Sequence, residues 1–173
     1  LVNSVPADVR IETYVRAKTM EAIEATHTKV DAALKAGGDA VGAQTVIATM
    51  PGQLPLACNN RLNELFVANA KIAEPNVAVK DAGHFSASTD MGDVSHLLPV
   101  IHPFIGGVDG FLHTADFHVV DFKHAVLLPA KAFAMMIIDL LADDAELARQ
   151  IKAEHHPLLT KEEYIAKLDK YFQ

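Results

Sequence analysis

The stretch AVLLPAKAFAMMIIDLLA, residues 125 to 142, limits the possible folds more than any other part of the chain. Ala, Leu, Met, Ile and Phe occupy almost every position, so a helix formed here has no polar face to turn to water. Such a helix is stable between packed layers of a protein or in a bilayer. Lys131 and Asp139 interrupt the run, and charges inside a spanning segment are costly, so no membrane partner is expected. The segment predicts a helix from about His124 to Ala142, buried between layers, with Pro129 in its first turn or at a kink.

The remaining sequence has to supply those layers. Val9, Ile11, Thr13 and Val15 alternate with Arg10, Glu12, Tyr14 and Arg16, the period of a half-buried strand. Between about Thr19 and Ala36, Ile23, His27, Val30 and Leu34 form an apolar helical stripe that ends at Gly37 and Gly38. AQTVIATM reads as a second strand before the turn PGQLP. Asn59 or Asn60 caps a further helix with Leu62, Leu65, Phe66 and Ala70 along one side, and Pro75 stops it. NVAV and VIHPFIGG read as strands, the second one buried. One amphipathic helix opens at Asp143 or Asp144, and another at TKEEY, where Thr160 and Glu163 form a capping box. His155 and His156, beside Pro157, read as an exposed helix end. Alternating strands and helices predict an α/β class. The first βαβ unit leaves its sheet edges open and is half of a larger sheet.

Composition narrows function by exclusion. The chain has 173 residues, half of them hydrophobic, enough for one respectable core. A formal charge of −7 and a pI near 5.6 leave no basic face for phosphates, so nucleic acid is not an expected partner. A single cysteine, Cys58, excludes a disulfide framework, fits a reducing, cytoplasmic setting and reads as buried and inert. Leu1 is followed by Asn3, Ser4 and Pro6 with no basic n-region, so no signal peptide is read, and the absence of an initial Met suggests removal of something upstream.

The chemistry-bearing residues crowd into one region. Six of the nine histidines, at 84, 96, 102, 113, 118 and 124, are interspersed with Asp90, Asp93, Asp109, Asp116 and Asp121. Imidazole and carboxylate are the usual ligands of zinc and similar divalent ions. No H-E-x-x-H, C-x-x-C or H-x-D arrangement is present, and each histidine taken singly also fits a surface or hydrogen-bonded role. His27 reads as packing, and Asp93 and His96 as a helix start and a surface residue.

NSVPADVRIETYVRAKT, GAQTVIATMPGQLPLACNN, STDMGDVSHLLPVIHPFIGG, LHTADF and AKAFAMMIIDLLAD occur in this order over nearly the whole chain. Together they resemble the di-metal amidohydrolases and dipeptidases related to aminoacylase and glutamate carboxypeptidase. The likeness is strongest to the branch that holds p-aminobenzoyl-glutamate hydrolase and the β-alanyl-lysine dipeptidases. The resemblance implies an α/β catalytic domain with two divalent ions, zinc or else manganese or cobalt, and an inserted ferredoxin-like βαββαβ lid that makes a homodimer. Residues 1–52 would be the second half of that lid and 53–173 the C-terminal part of the catalytic domain. The chain then reads as a fragment, inactive alone, of an enzyme cleaving an N-acyl amino acid or dipeptide. The general-base Glu and the other metal ligands of the family match nothing here.

The resemblance also assigns residues. His113 matches the last metal ligand, with its second ring nitrogen held by an acceptor. Asn3 and Arg16 match the lid pair that grips the small-molecule substrate, Arg16 by two parallel hydrogen bonds to a carboxylate. Ser88 and Thr89 are candidate substrate contacts, and Asp90 orders their loop. Ala87 stands where many relatives have glycine. The competing expectation is a non-catalytic dimerisation or interaction module.

Overall fold

A computed structural model describes residues 3–81, 83 and 87–170. His84 and Ser86 lie outside these residues. The chain forms two compact units, Leu1–Thr49 and Met50–Gln173.

The first unit is built on one helix, α1 (Met20–Ala40). Thr19 caps it in an extended conformation, its hydroxyl oxygen accepting the Ala22 N–H at 3.3 Å. Gly37 and Gly38 do not end the helix as the sequence predicts. It closes at Gly42, with φ +69°, where the Gly42 N–H donates to Asp39 O at 3.1 Å and the Ala43 N–H to Gly38 O at 2.9 Å. That pair of bonds is the left-handed closure which glycine accommodates without strain. Gly38 serves a different purpose. A Cβ there would lie 1.9 Å from Thr45 Oγ1, so the glycine admits the returning chain. None of the α1 side chains is buried, and the stripe containing Ile23, Val30 and Leu34 is half-covered.

The strands expected over residues 9–15 and in AQTVIATM are absent; both segments are irregular. Alternation specifies an extended chain, but a strand exists only when a neighbour satisfies its N–H and C=O groups. With no ladder here, the open strand edges that would have paired two lids are not present in this unit.

In the second unit α2 (Asn60–Ala73) packs against α4 (Leu128–Glu154). Asn59 caps α2, its side-chain oxygen accepting the Leu62 N–H at 3.0 Å. Leu62, Phe66 and Ala70 meet Ala132, Met136 and Ile151 in the core, and the Phe66 and Phe133 rings stand 4.9 Å apart. Buried Asn69 donates to the Asp139 carboxylate at 2.7 Å and to Leu65 O at 3.1 Å. The charge that interrupts the apolar run is thus the acceptor for a buried amide.

A π-helical turn, Lys123–Leu127, leads into α4, and Pro129 sits in the first turn of α4, where its missing N–H costs nothing. The backbone leaves helical geometry at Ala142, with Asp143, Asp144 and Ala145 at φ +48°, +58° and +60°. This break is where the sequence starts a new helix. Burial on all sides is not realised: Ile137, Ile138 and Leu141 are 55%, 66% and 63% exposed. Among the described residues of its unit, α4 packs chiefly against α2 and the π-helical turn rather than between sheets. By length and composition alone, Lys123–Glu154 is apolar enough to cross a membrane.

Residues 54–59 dock on α3 (Met91–Ser95) and the chain after it through successive polar bonds. Leu54 N–H donates to Asp93 Oδ1 at 3.1 Å, Ala57 N–H to Ser95 Oγ at 3.0 Å, and Asn59 N–H to Val100 O at 2.8 Å. His96, expected on the surface, is 5% exposed with Nε2 2.9 Å from Pro55 O. Gly92 allows the contact, because a Cβ there would fall 1.9 Å from Leu54 O. VIHPFIGG forms no strand, although Val100 is buried. Among the described residues the sheet is one antiparallel ladder, β1 (Val108–Asp109) with β2 (His118–Val119), in which Val108 faces Val119. The chain closes with α5 (Lys161–Asp169), whose capping box is formed as expected: Thr160 N–H reaches Glu163 Oε2 at 2.7 Å, and Glu163 N–H reaches Thr160 Oγ1 at 3.2 Å.

About half of the chain is helical, so the molecule is mostly helical and the expected α/β fold with a ferredoxin-like βαββαβ lid is corrected. Cys58 is half-buried rather than buried, and His155 is half-buried rather than exposed, with no hydrogen-bond partner for its Nε2 among the described residues.

Candidate functional site

His113 lies in the loop joining β1 to β2, at φ +66° with an exposed side chain. An L-residue in the left-handed region costs roughly 1–2 kcal/mol, a strain kept only where the surroundings over-determine it. Here they do. Gly110, at φ +87°, lets the two limbs of the loop approach so closely that a Cβ would sit 2.5 Å from Asp116 O. Thr114 Oγ1 donates to Phe111 O at 2.6 Å and also bonds the Asp116 carboxylate. The His118 Nδ1–H donates to Asp116 O at 2.6 Å. Gly107, at φ +88°, accepts Val120 N–H at 3.0 Å and Asp121 N–H at 3.1 Å, closing the loop at its base.

The acceptor implied for the second ring nitrogen of His113 is not found: neither nitrogen has a hydrogen bond among the described residues. An oriented imidazole occurs instead at His124, whose Nδ1 is 2.6 Å from Asp121 Oδ2 while its N–H donates to Asp121 Oδ1 at 3.1 Å. These hydrogen bonds hold the Asp121 carboxyl below its ordinary pKa. Lys123, next to it, pairs with Glu74 and lowers the Glu74 pKa. Among the described residues no three His, Cys, Asp or Glu side chains form a metal-holding group.

Ser88, Thr89 and Asp90 are brought together ahead of α3 by Gln53, whose Nε2 donates to Asp90 Oδ1 at 2.5 Å while Ser88 Oγ donates to its Oε1. Ser88 and Asp90 are exposed and Thr89 is half-buried, its carbonyl accepting the Gly92 N–H at 2.8 Å. Beneath them, burial raises the Asp93 pKa against the opposing bond from Leu54. Asn3 and Arg16 belong to the first unit; both are exposed, and the Arg16 guanidinium lies 5.0 Å from the Tyr14 ring centroid.

Gln53 was missed at the sequence level because its partners are more than thirty positions away and an isolated glutamine carries no pattern. The Asp121–His124 pair could have been found from its helical i, i+3 spacing. No family model, curated protein or solved structure matches this chain.

Proposed function

We propose that this chain is part of a metal-dependent amidohydrolase that cleaves the amide bond of an N-acyl amino acid or dipeptide, and that His113 is its metal-binding residue. The observation carrying this reading is the left-handed backbone of His113 in a loop locked by Gly107, Gly110, Thr114 and Asp116. It supports the motif order that suggested the family, because strain at a fixed, exposed imidazole belongs at working sites more often than at inert ones.

An exposed imidazole with open nitrogens suits a divalent ion as one donor. A zinc site takes three or four donors, so on this reading the other donors come from outside these residues. When bound, the ions would polarise the scissile carbonyl and supply an activated water. The chain's own residues do the rest. Arg16 and Asn3, in the first unit, offer a guanidinium suited to a substrate carboxylate and an amide suited to a neighbouring oxygen. Ser88 and Thr89 offer hydroxyls to the polar part of the substrate, while Asp90, tied to Gln53, holds their loop. The net charge of −7 fits a small-molecule substrate better than a polyanion.

Equilibrium dialysis against zinc tests the reading. The parent enzyme, with the remaining donors present, should retain zinc more tightly than its His113→Ala variant. Equal retention by both would remove the basis for the assignment.

A further inference from the structure

We propose that the Asp109–Gly110 bond is a modification site, at which the chain rearranges without an enzyme, through a succinimide, to an isoaspartyl link. This inference is independent of the amidohydrolase reading. Among the aspartates and asparagines of the chain, Asp109 alone is followed by glycine. Ring closure brings the following amide nitrogen onto the side-chain carboxyl carbon, and a Cβ on the following residue obstructs that approach. Glycine has none.

Geometry at the loop supplies the rest. Asp109 ends β1 and Gly110 opens the loop that carries His113, and both are exposed to water. The Gly110 nitrogen lies 2.8 Å from Asp109 Oδ1, its N–H donating to the carboxyl group of the preceding residue. Nucleophile and carboxyl group are therefore already side by side. Other exposed aspartates direct their oxygens further along the chain: Asp81 accepts from Gly83 N–H, two residues on, and Asp121 from His124 N–H, three residues on.

The step balances on the chain and water alone. The Gly110 nitrogen bonds to Cγ of Asp109 in its acid form, the Cγ–O bond to the hydroxyl breaks, and the amide proton leaves with that hydroxyl as water. Hydrolysis then opens the ring at either carbonyl. Water added at Cγ restores the original link, and water added at the main-chain carbonyl carbon leaves an isoaspartyl link with a free α-carboxylate. The backbone then runs through Cβ and Cγ and gains an atom. That atom falls where Asp109 pairs with His118, next to Gly110, whose limb approaches so closely that a Cβ would sit 2.5 Å from Asp116 O. A lengthened backbone breaks this register, so the modification releases the lock on the His113 loop.

Peptide mapping by mass spectrometry of the full chain, incubated for weeks in neutral buffer made with heavy-oxygen water, tests the proposal. The peptide holding residues 109 and 110 should lose one water, then regain it as heavy oxygen in a product of shifted retention time. Isoaspartyl-specific carboxyl methylation should label that product. The reaction should precede that at any other aspartyl or asparaginyl bond, and its rate should lie within about tenfold of that of the same chain in urea. Asp109→Glu, which would need a larger ring, should show none of it. An unchanged peptide, an earlier reaction at another position, or a rate more than about tenfold higher in urea would each overturn the proposal. So would the same label in Asp109→Glu.

Discussion

Single residues decide how the second unit is held together. His96 is buried with its Nε2 on Pro55 O, in a position that the sequence reads as surface. His96→Ala removes both the packed ring and the partner of a carbonyl, so it should destabilise the fold by about 2 kcal/mol. Urea denaturation checks this, and an unchanged midpoint would contradict it. Asp93 carries a pH dependence with a definite sign. Burial raises its folded pKa above the unfolded one, so its stabilising contribution is present below the unfolded value and lost as pH rises through the folded value. Asp93→Asn keeps an oxygen for the Leu54 N–H and has no charge to bury. Its stability relative to wild type should therefore grow as pH rises through and above the ordinary carboxylate range; a gap that is constant or shrinks would contradict the assignment. His96 and Asp93 look ordinary in the sequence because the residues they bind, Pro55 and Leu54, are far away along the chain.

At the level of elements, what is local was legible and what is paired was not. Asn59 and the Thr160–Glu163 box were read directly, since a cap is made within four residues of the group it satisfies; the Thr19 cap is equally local but was not read. Gly37 and Gly38 misled, because glycine serves close approach as well as helix closure, and only the Thr45 contact separates the two uses. The alternation at residues 9–15 misled for a different reason: it says nothing of whether a neighbouring strand exists. The left-handed trio after Ala142 is an element-scale strain. Asp143 and Asp144 tolerate that conformation better than Ala145, which has no polar side chain to offset it. Ala145→Gly should stabilise the chain by about 1 kcal/mol in thermal denaturation; a loss of stability would mean that the break is not left-handed in solution.

Across the whole molecule, stability is unevenly distributed. The first unit has no buried side chain on α1, whereas the second has a core shared by α2 and α4. Amides with little buried apolar surface around them open at low cost. Hydrogen exchange should consequently be faster throughout α1 than in α2 or in residues 128–141, and equal protection would contradict that ordering. The helical character of the molecule follows from the same imbalance, since the apolar run of α4 meets another helix rather than a sheet. Of the candidate site, the sequence named residues whose side chains are able to carry chemistry, but not that His113 is strained, that Gln53 ties Ser88 to Asp90, or that His124 is the oriented imidazole. Those features depend on backbone geometry and on distant partners.

The most direct test of the central claim is a cobalt(II) titration of the parent enzyme, which holds the remaining donors, followed through the imidazole signals in nuclear magnetic resonance. Broadening should reach His113 at lower metal concentrations than any other histidine, and the His113→Ala variant should lose that earliest response. If His124 or another histidine responds first while His113 stays sharp, the metal-binding role assigned to His113 is wrong.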